Sequence, residues 1–376
     1  MNTRLWKNFD WLLLFLVVTT TCFGIVAIAS ATQFRFDDPS TWGYVVRQSI
    51  WFGIGLCVLL FVVSVDYQAY RRWYRLLYVL NLALLASVLI FGRSTLGAQR
   101  WIDLGPLQFQ PSEVAKILVI LTLAHALAKY EGEMDNPLGL VWAAFHVLPP
   151  MLLIMLQPDL GTALVFVAIA LGMIYMAGYP GPKLLGLVGL GIAAAVFWIV
   201  AHLQWGVWIP LEDYQLMRLL VFIDPSQDPF GSGYHIIQSR IAIGSGQMWG
   251  RGLFQGTLNQ LNYLPEQQTD FIFAVVGEEL GFVGGASLIA LLCFLILRVL
   301  YLGSRARDTF GALIVVGCVS MIAFQILVNM GMTMGIMPVT GIPLPFVSYG
   351  GTSLLTNYVA VGLILNIYMR RQKIIF

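Results

Sequence analysis

The chain is predicted to be an all-α, polytopic membrane protein of about ten transmembrane helices, with a long outer loop between spans seven and eight. Three observations predict it. Of 376 residues, 59% are hydrophobic and only 11% are charged. The mean hydropathy is +0.80. Stretches such as Trp11 to Phe34 and Lys183 to Leu211 run almost uninterrupted by charge. A soluble core of this size buries its apolar residues in short periodic segments instead, so residues 1–376 read as one integral membrane domain.

A span of the hydrocarbon core takes about 20 apolar residues. The first lies near 11–31, behind Arg4 and Lys7. It exceeds a signal-peptide h-region and reads as a retained helix despite Ala27, Ala29 and Ala31. Spans two and three lie near 45–64 and 74–92. The fourth, near 112–130, opens behind Pro111, a residue suited to the first turn of a helix. Only twelve residues separate its Lys116 from Lys129, so Glu113 and Lys116 must enter the outer part of the bilayer. Spaced i, i+3, they can pair, which offsets part of a cost of roughly 2.5 to 3.5 kcal/mol per charge at mid-depth. Three readings stay open for Lys116: a self-neutralised partner of Glu113, a side chain snorkelling to the headgroups, or a cation for a phosphate.

Spans five and six, near 139–157 and 160–178, meet at Gln157-Pro158-Asp159-Leu160-Gly161-Thr162, where Asp159 suits an N-cap. Span seven lies near 183–205, and the outer loop runs from about 206 to 269. Span eight, near 270–298, carries Asp270, Glu278 and Glu279 close to its start. Gly277, Gly281 and Gly285 recur along it every four residues, a stripe that admits a neighbouring helix. Glu266 and Asp270 would share a face if this helix began at Pro265. Spans nine and ten lie near 309–331 and 348–369. No charged residue occurs from Thr309 to Met369, yet Pro338, Pro343, Pro345, Gly341, Gly350 and Gly351 interrupt the stretch. A re-entrant or surface-hugging loop is expected there.

An even number of spans puts both termini on one side. Arg4, Lys7, Arg71, Arg72, Arg75, Arg298, Arg305, Arg307, Arg370, Arg371 and Lys373 fall on that side and mark it as cytoplasmic; Glu131, Glu133 and Asp135 dilute the bias without reversing it. Segments 92–112, 206–269 and 332–347 are then outside. No inner loop is long enough for an ATPase, there is no GxxxxGK[ST], and Gly244-Ser245-Gly246 lacks a nucleotide-binding context. No nucleotide, haem or flavin is expected, and no nucleic acid. Histidines 125, 146, 202 and 235 have no metal-ligand spacing. Cys22, Cys57, Cys293 and Cys318 lie in apolar runs and read as small buried residues without disulfides.

Several blocks carry a resemblance. Gly97-Ala98-Gln99-Arg100-Trp101-Ile102, Gln110-Pro111-Ser112-Glu113 with Lys116, and the run from Gln157 to Thr162 resemble the SEDS (FtsW/RodA/SpoVE) family of bacterial cell-wall polymerases. So do Tyr234-His235-Ile236-Ile237-Gln238-Ser239, Ala242-Ile243-Gly244-Ser245-Gly246, Leu264-Pro265-Glu266, Thr269-Asp270-Phe271-Ile272-Phe273, and Asn329 to Ser353 with Pro343-Leu344-Pro345 and Ser348-Tyr349-Gly350-Gly351. Short termini and Gly256-Thr257 lean toward the RodA branch. Gln267 and Gln268 depart from the basic or histidine-containing pair expected there.

The resemblance implies a peptidoglycan glycosyltransferase of the bacterial cytoplasmic membrane that polymerises lipid II at the outer face. Asp270 would be the general base for the acceptor sugar hydroxyl, with undecaprenyl diphosphate as leaving group; on physical grounds, partial burial should raise its pKa above the usual carboxylate range. Lys116, Arg100 and Arg47 are the candidate cations, with Arg47 alternatively a headgroup anchor and Arg100 alternatively a loop cap. Glu113 and Asp159 would orient them or the sugar, and Trp101 would stack on a saccharide or sit in the interfacial belt. Glu266 and Ser348 complete the candidate substrate-binding set. A divalent cation, magnesium or manganese, is left open. Expected partners are a class B penicillin-binding transpeptidase, other elongation-complex membrane proteins and membrane lipids. Two alternatives remain: a lipid II flippase, against which the lack of an evident internal repeat counts, and a non-catalytic scaffold.

Overall fold

The computed structural model describes residues 6–33, 38–95, 98–104, 107–130, 137–229, 231–261, 263–264 and 266–371. Arg4, Phe34, Gly97, Glu131, Glu133, Asp135, Pro265 and Lys373 lie outside them.

The elements follow in order: α1 (Trp11–Ala31), α2 (Gly43–Ser64), α3 (Gln68–Arg72), α4 (Tyr74–Phe91), β1 (Arg93–Thr95), β2 (Ala98–Leu104), β3 (Leu107–Phe109), α5 (Pro111–Lys129), α6 (Pro137–Met155), α7 (Leu160–Met176), α8 (Gly181–Trp205), α9 (Asp213–Ile223), α10 (Ser232–Ser245), α11 (Thr257–Gln260), α12 (Ile272–Gly303), α13 (Thr309–Thr333) and α14 (Gly351–Met369). The expected spans correspond to α1, α2, α4, α5, α6, α7, α8, α12, α13 and α14. Eight are long and apolar enough to cross a membrane, and α6, over its stretch Gly139–Met155, and α7 are shorter apolar helices. The fold is that of a multi-pass membrane protein.

Alternating helices give the bundle two ends. One end carries both described termini, tied by the Arg298–Asp10 ion pair and by Arg370 against Asp66 at 3.9 Å. The other end carries the long connections. At its centre stand α5, α13 and α14, whose residues are mostly buried. In α8 only Leu184 and Ala201 are buried, so this helix presents apolar side chains almost all round.

The structure departs from the sequence reading in four places. A small antiparallel sheet, β1-β2-β3, stands between α4 and α5, with Ser94 opposite Gln99 and Ile102 opposite Phe109. A criterion of 20 apolar residues cannot see strands of three to seven residues. Second, the eighth span starts at Ile272 and not at Pro265, so Glu266 and Asp270 do not share a helical face; residues 266–271 form a turn, with Glu266 at φ 47°. The cause is competition for backbone carbonyls. Gln268 O accepts Tyr349 N–H at 2.9 Å, Thr269 O accepts the Ser348 hydroxyl at 2.6 Å, and Asp270 O accepts Asn329 Nδ2 at 2.9 Å.

Third, the glycine stripe of α12 serves a loop as well as a helix. A Cβ at Gly277 would sit 3.0 Å from Ile243 Cγ1, at the end of α10, while Gly281 has φ 63° and ψ −160° and breaks the span in two. Fourth, Cys318 alone of the four free cysteines is buried within the protein; Cys22, Cys57 and Cys293 face outward from their spans.

The expected re-entrant loop is present between α13 and α14. Ile342, Leu344, Phe346, Val347 and Ser348 are buried, and a Cβ on Gly24 would lie 2.6 Å from Val347 Cα. Gly24 stands seven residues before the end of α1, so the loop reaches about 10 Å into the bundle at 1.5 Å per residue.

Candidate active site

Asp270 closes the turn that leads into α12 and keeps partial access to solvent. Its backbone is fixed by Asn329, fully buried on α13, whose Nδ2 donates to Asp270 O at 2.9 Å and to Ile342 O at 2.8 Å. One amide group thus sets the spacing between the turn and the re-entrant loop. Above that loop the carboxylate meets Gly341, a residue at φ 73°. A Cβ there would lie 3.4 Å from Asp270 Oδ2 and 3.8 Å from Arg218 Nη1. The missing side chain leaves a small space that both groups face.

Arg218 comes from α9. That helix begins with a capping box, in which Glu212 and Gln215 satisfy each other's backbone amides. Tyr214, Gln215 and Arg218 fall on one face at helical spacing, and the Arg218 guanidinium lies 5.5 Å from the Tyr214 ring centroid. Arg100, on β2, donates to Pro158 O and to Tyr214 Oη at 3.1 Å, and its Nη1 lies 3.7 Å from Asp159 Oδ1. Pro158 O also accepts Tyr214 Oη–H at 2.7 Å and Gln215 Nε2 at 3.1 Å. A single carbonyl between α6 and α7 therefore gathers the sheet and α9 beside the carboxylate.

Burial pushes the Asp270 carboxyl up to about 6; Glu266 and Asp159 push the same way, while Arg218 and Arg100 pull it down. Desolvation lowers the Arg218 pKa, opposed chiefly by the attraction of Asp270. Among the described residues no cation is within ion-pair distance of Asp270. The site thus holds a carboxylate that changes charge near neutral pH, with two guanidinium groups beside it.

The predicted residues fall into three groups. Asp270, Glu266, Arg100 and Asp159 come together. Glu266 is exposed on the turn and accepts the Thr269 hydroxyl at 3.3 Å. Asp159 caps α7, accepting Thr162 N–H at 3.2 Å and its hydroxyl at 2.9 Å, besides facing Arg100. Arg100 is therefore more than a loop cap.

Glu113 and Lys116 form a second, internal pair at 2.8 Å, with side-chain exposures of 4% and 2%. Snorkelling is excluded by that burial. Glu113 Oε2 has no partner among the described residues, and the cations that act on Asp270 are Arg218 and Arg100 rather than Lys116.

The third group lies at the margin. Arg47 is exposed near the start of α2, next to Gln48, which donates to Ser348 O at 3.2 Å. Trp101 is partly exposed on β2. The Ser348 hydroxyl is committed to bracing, since it donates to Thr269 O and accepts Leu344 N–H at 2.8 Å.

Arg218, Asn329 and Gly341 escaped the sequence reading as site residues. For Arg218 the signal was available: a lone arginine three and four residues after Gln215 and Tyr214, in a short amphipathic helix of the outer loop. His235, read as a lone polar residue, stacks on Phe271 with ring centroids 5.9 Å apart. Among the described residues no three His, Cys, Asp or Glu side chains gather around a metal position. A magnesium or manganese ion would have to draw most of its oxygens from substrate and water, with Glu266 and Asp270 as the carboxylates at hand.

Residues 10–373 match the FTSW_RODA_SPOVE family, described as cell cycle protein. The chain is 39% identical over 323 residues to the peptidoglycan glycosyltransferase MrdB of Escherichia coli (strain K12), covering 85% of this chain and 84% of that protein. It is 35% identical over 441 residues to the peptidoglycan glycosyltransferase RodA of Treponema pallidum (strain Nichols), covering 99% and 100%. Among solved structures it matches a chain of a peptidoglycan synthase complex that coordinates polymerization and crosslinking, with TM-score 0.79, 34% identity and coverage of 96% and 98%. It also matches the rod shape determining protein RodA of Thermus thermophilus, with TM-score 0.69, 32% identity and coverage of 97% and 98%.

Proposed function

From the premise that this chain belongs to the FtsW/RodA/SpoVE family, we propose that it is a peptidoglycan glycosyltransferase that polymerises lipid II, with Asp270 as general base. The observation that carries the assignment is the carboxylate itself: partly accessible and facing the same bare glycine as Arg218, in surroundings whose burial raises its pKa.

Glycan extension requires an acceptor sugar hydroxyl to attack the anomeric carbon of a donor. In that step Asp270 takes the hydroxyl proton as the new C–O bond forms. The bond from the anomeric carbon to the diphosphate breaks, and the electron pair leaves with the undecaprenyl diphosphate. Arg218 and Arg100 face the developing negative charge in a site partly screened from water, where such cations act most strongly. Lys116 serves the diphosphate only if its pairing with Glu113 loosens when substrate binds.

The described cations Lys7, Arg71, Arg72, Arg75, Arg298, Arg305, Arg307, Arg370 and Arg371 support a cytoplasmic position for the terminal end of the bundle. Asp270 then works at the outer leaflet, where a lipid-linked sugar can reach the turn laterally. The related synthase complex couples polymerization to crosslinking, which supports a crosslinking partner for this chain. A transpeptidase has the chemistry for that role.

The test is polymerisation of labelled lipid II by the purified protein, with and without a transpeptidase. Wild type should build glycan chains and Asp270→Ala should build none while keeping its thermal stability. Polymer from Asp270→Ala at the wild-type rate ends the base assignment; movement of lipid II between leaflets without any polymer selects a flippase.

A further inference from the structure

The break of α12 at Gly281 removes two bonds from the helical ladder, those that would join the amides of Phe282 and Val283 to the carbonyls of Glu278 and Glu279. All four groups find other partners. Phe282 N–H donates to Gln247 O at 2.8 Å and Val283 N–H to Met248 O at 3.1 Å; Glu278 O accepts Arg251 N–H and Glu279 O accepts Gly252 N–H, both at 3.0 Å. The connection between α10 and α11 is thus spliced into a membrane-spanning helix. These four backbone groups of the break are therefore satisfied within the protein.

The side chains of the same two glutamates close the splice. Glu279, 2% exposed, takes the Ser30 hydroxyl at 2.5 and 2.7 Å on its two oxygens and Phe254 N–H at 3.3 Å. Glu278, 1% exposed, takes Leu258 N–H at 2.9 Å and the Thr257 hydroxyl at 3.3 Å. A Cβ on Gly256 would lie 2.9 Å from Glu278 Oε2, so the loop passes against the carboxylate. Higher up, Gln267 Nε2 donates to Ala31 O at 2.7 Å, tying the turn below Asp270 to the end of α1.

Residues 272–280 are therefore a short helix with its own supports, anchored at the top by Asn329 and Ser348 and at the bottom by the splice. We propose that Glu278 and Glu279 are positioning residues for glycosyl transfer: by clamping segment 247–258 to this short helix, they set where it presents Asp270 over Gly341. The proposal rests on Asp270 as the base. At 1% and 2% exposed, Glu278 and Glu279 are too buried to reach a substrate. A misplacement of the base by about 1 Å is enough to cost on the order of 100-fold in rate.

The experiment compares lipid II polymerisation by wild type, Asp270→Ala, Glu278→Ala, Glu279→Ala and Glu279→Gln. Active wild type and inactive Asp270→Ala establish the underlying assignment independently of the clamp. Against that background, both alanine variants should lose about tenfold or more in kcat with KM within about twofold, since substrate contacts are intact. The acidic limb of their pH profile should move below 6 as water reaches Asp270. Glu279→Gln keeps an acceptor for Ser30 and should recover most of the rate. Wild-type kcat and an unmoved pH limb in folded alanine variants would overturn the proposal. If the alanine variants do not accumulate, Ser30→Ala and Thr257→Ala decide it: a lower kcat at constant KM upholds the clamp, and unchanged kcat in both overturns it.

Discussion

Asp270 Oδ2 and Arg218 Nη1 converge on the position that a Cβ of Gly341 would take, though α10 and α11 separate the two residues along the chain. A base and a cation are thereby held together without neutralising each other in an ion pair. The carboxylate stays reactive because its partner stands off.

The first expectation concerns pH. A base with a pKa of about 6 must be ionised to work, so kcat/KM should rise with pH up to that value and level above it. Arg218 lowers the Asp270 pKa, so Arg218→Gln should move the limb to higher pH as well as reduce the plateau. A pH profile of both proteins with labelled lipid II checks the sign.

Stability should respond to the same group. The folded-state pKa of Asp270 lies above the reference of 3.8, so the folded protein binds the extra proton, and the stability this gives is lost as pH rises from about 4 to about 6. At pH 7 the ionised carboxylate is a cost, and Asp270→Asn should raise the melting temperature by the equivalent of about 1 to 3 kcal/mol. At pH 4 the gain should shrink.

Gly341→Ala should hurt twice. Its φ of 73° is strained for any residue with a Cβ, at a cost of about 1 to 2 kcal/mol, and the new methyl would stand 3.4 Å from Asp270 Oδ2. We expect a lower melting temperature together with a loss of polymerisation larger than the stability change explains.

The Glu113–Lys116 pair invites a double replacement. Glu113→Ala alone leaves a buried ammonium without its partner and should destabilise by about 3 to 5 kcal/mol, whereas Glu113→Gln with Lys116→Met should restore most of the stability. Polymerisation separates structure from chemistry. A stable but inactive double variant would assign Lys116 to the substrate diphosphate, and a stable active one would make the pair purely structural.

Spans were legible because lipid imposes a strict length and apolarity on them, and α2 and α8 follow the sequence to within two residues at either end. The Asp159 cap and the Glu113–Lys116 pair were legible too, since both arise within one or two helical turns. What sequence could not give was long-range backbone competition. The start of α12 depends on Asn329 and Ser348, some 60 to 80 residues away, which draw carbonyls out of the helix. Arg218 stayed hidden for a similar reason: its relevance comes from how Pro158 O gathers α9, a contact with no local signature.

The brevity of α7 has its own consequence. Its 17 residues measure about 26 Å, while a typical hydrocarbon core is about 30 Å thick. A span this short is accommodated by local thinning of the bilayer or by snorkelling of its flanking residues. A bilayer thinned at this helix is expected to bring headgroup-linked sugars closer to Pro158 and Asp159, at the border of the site. Polymerisation in vesicles of shorter-chain lipids is therefore expected to be faster than in longer-chain ones.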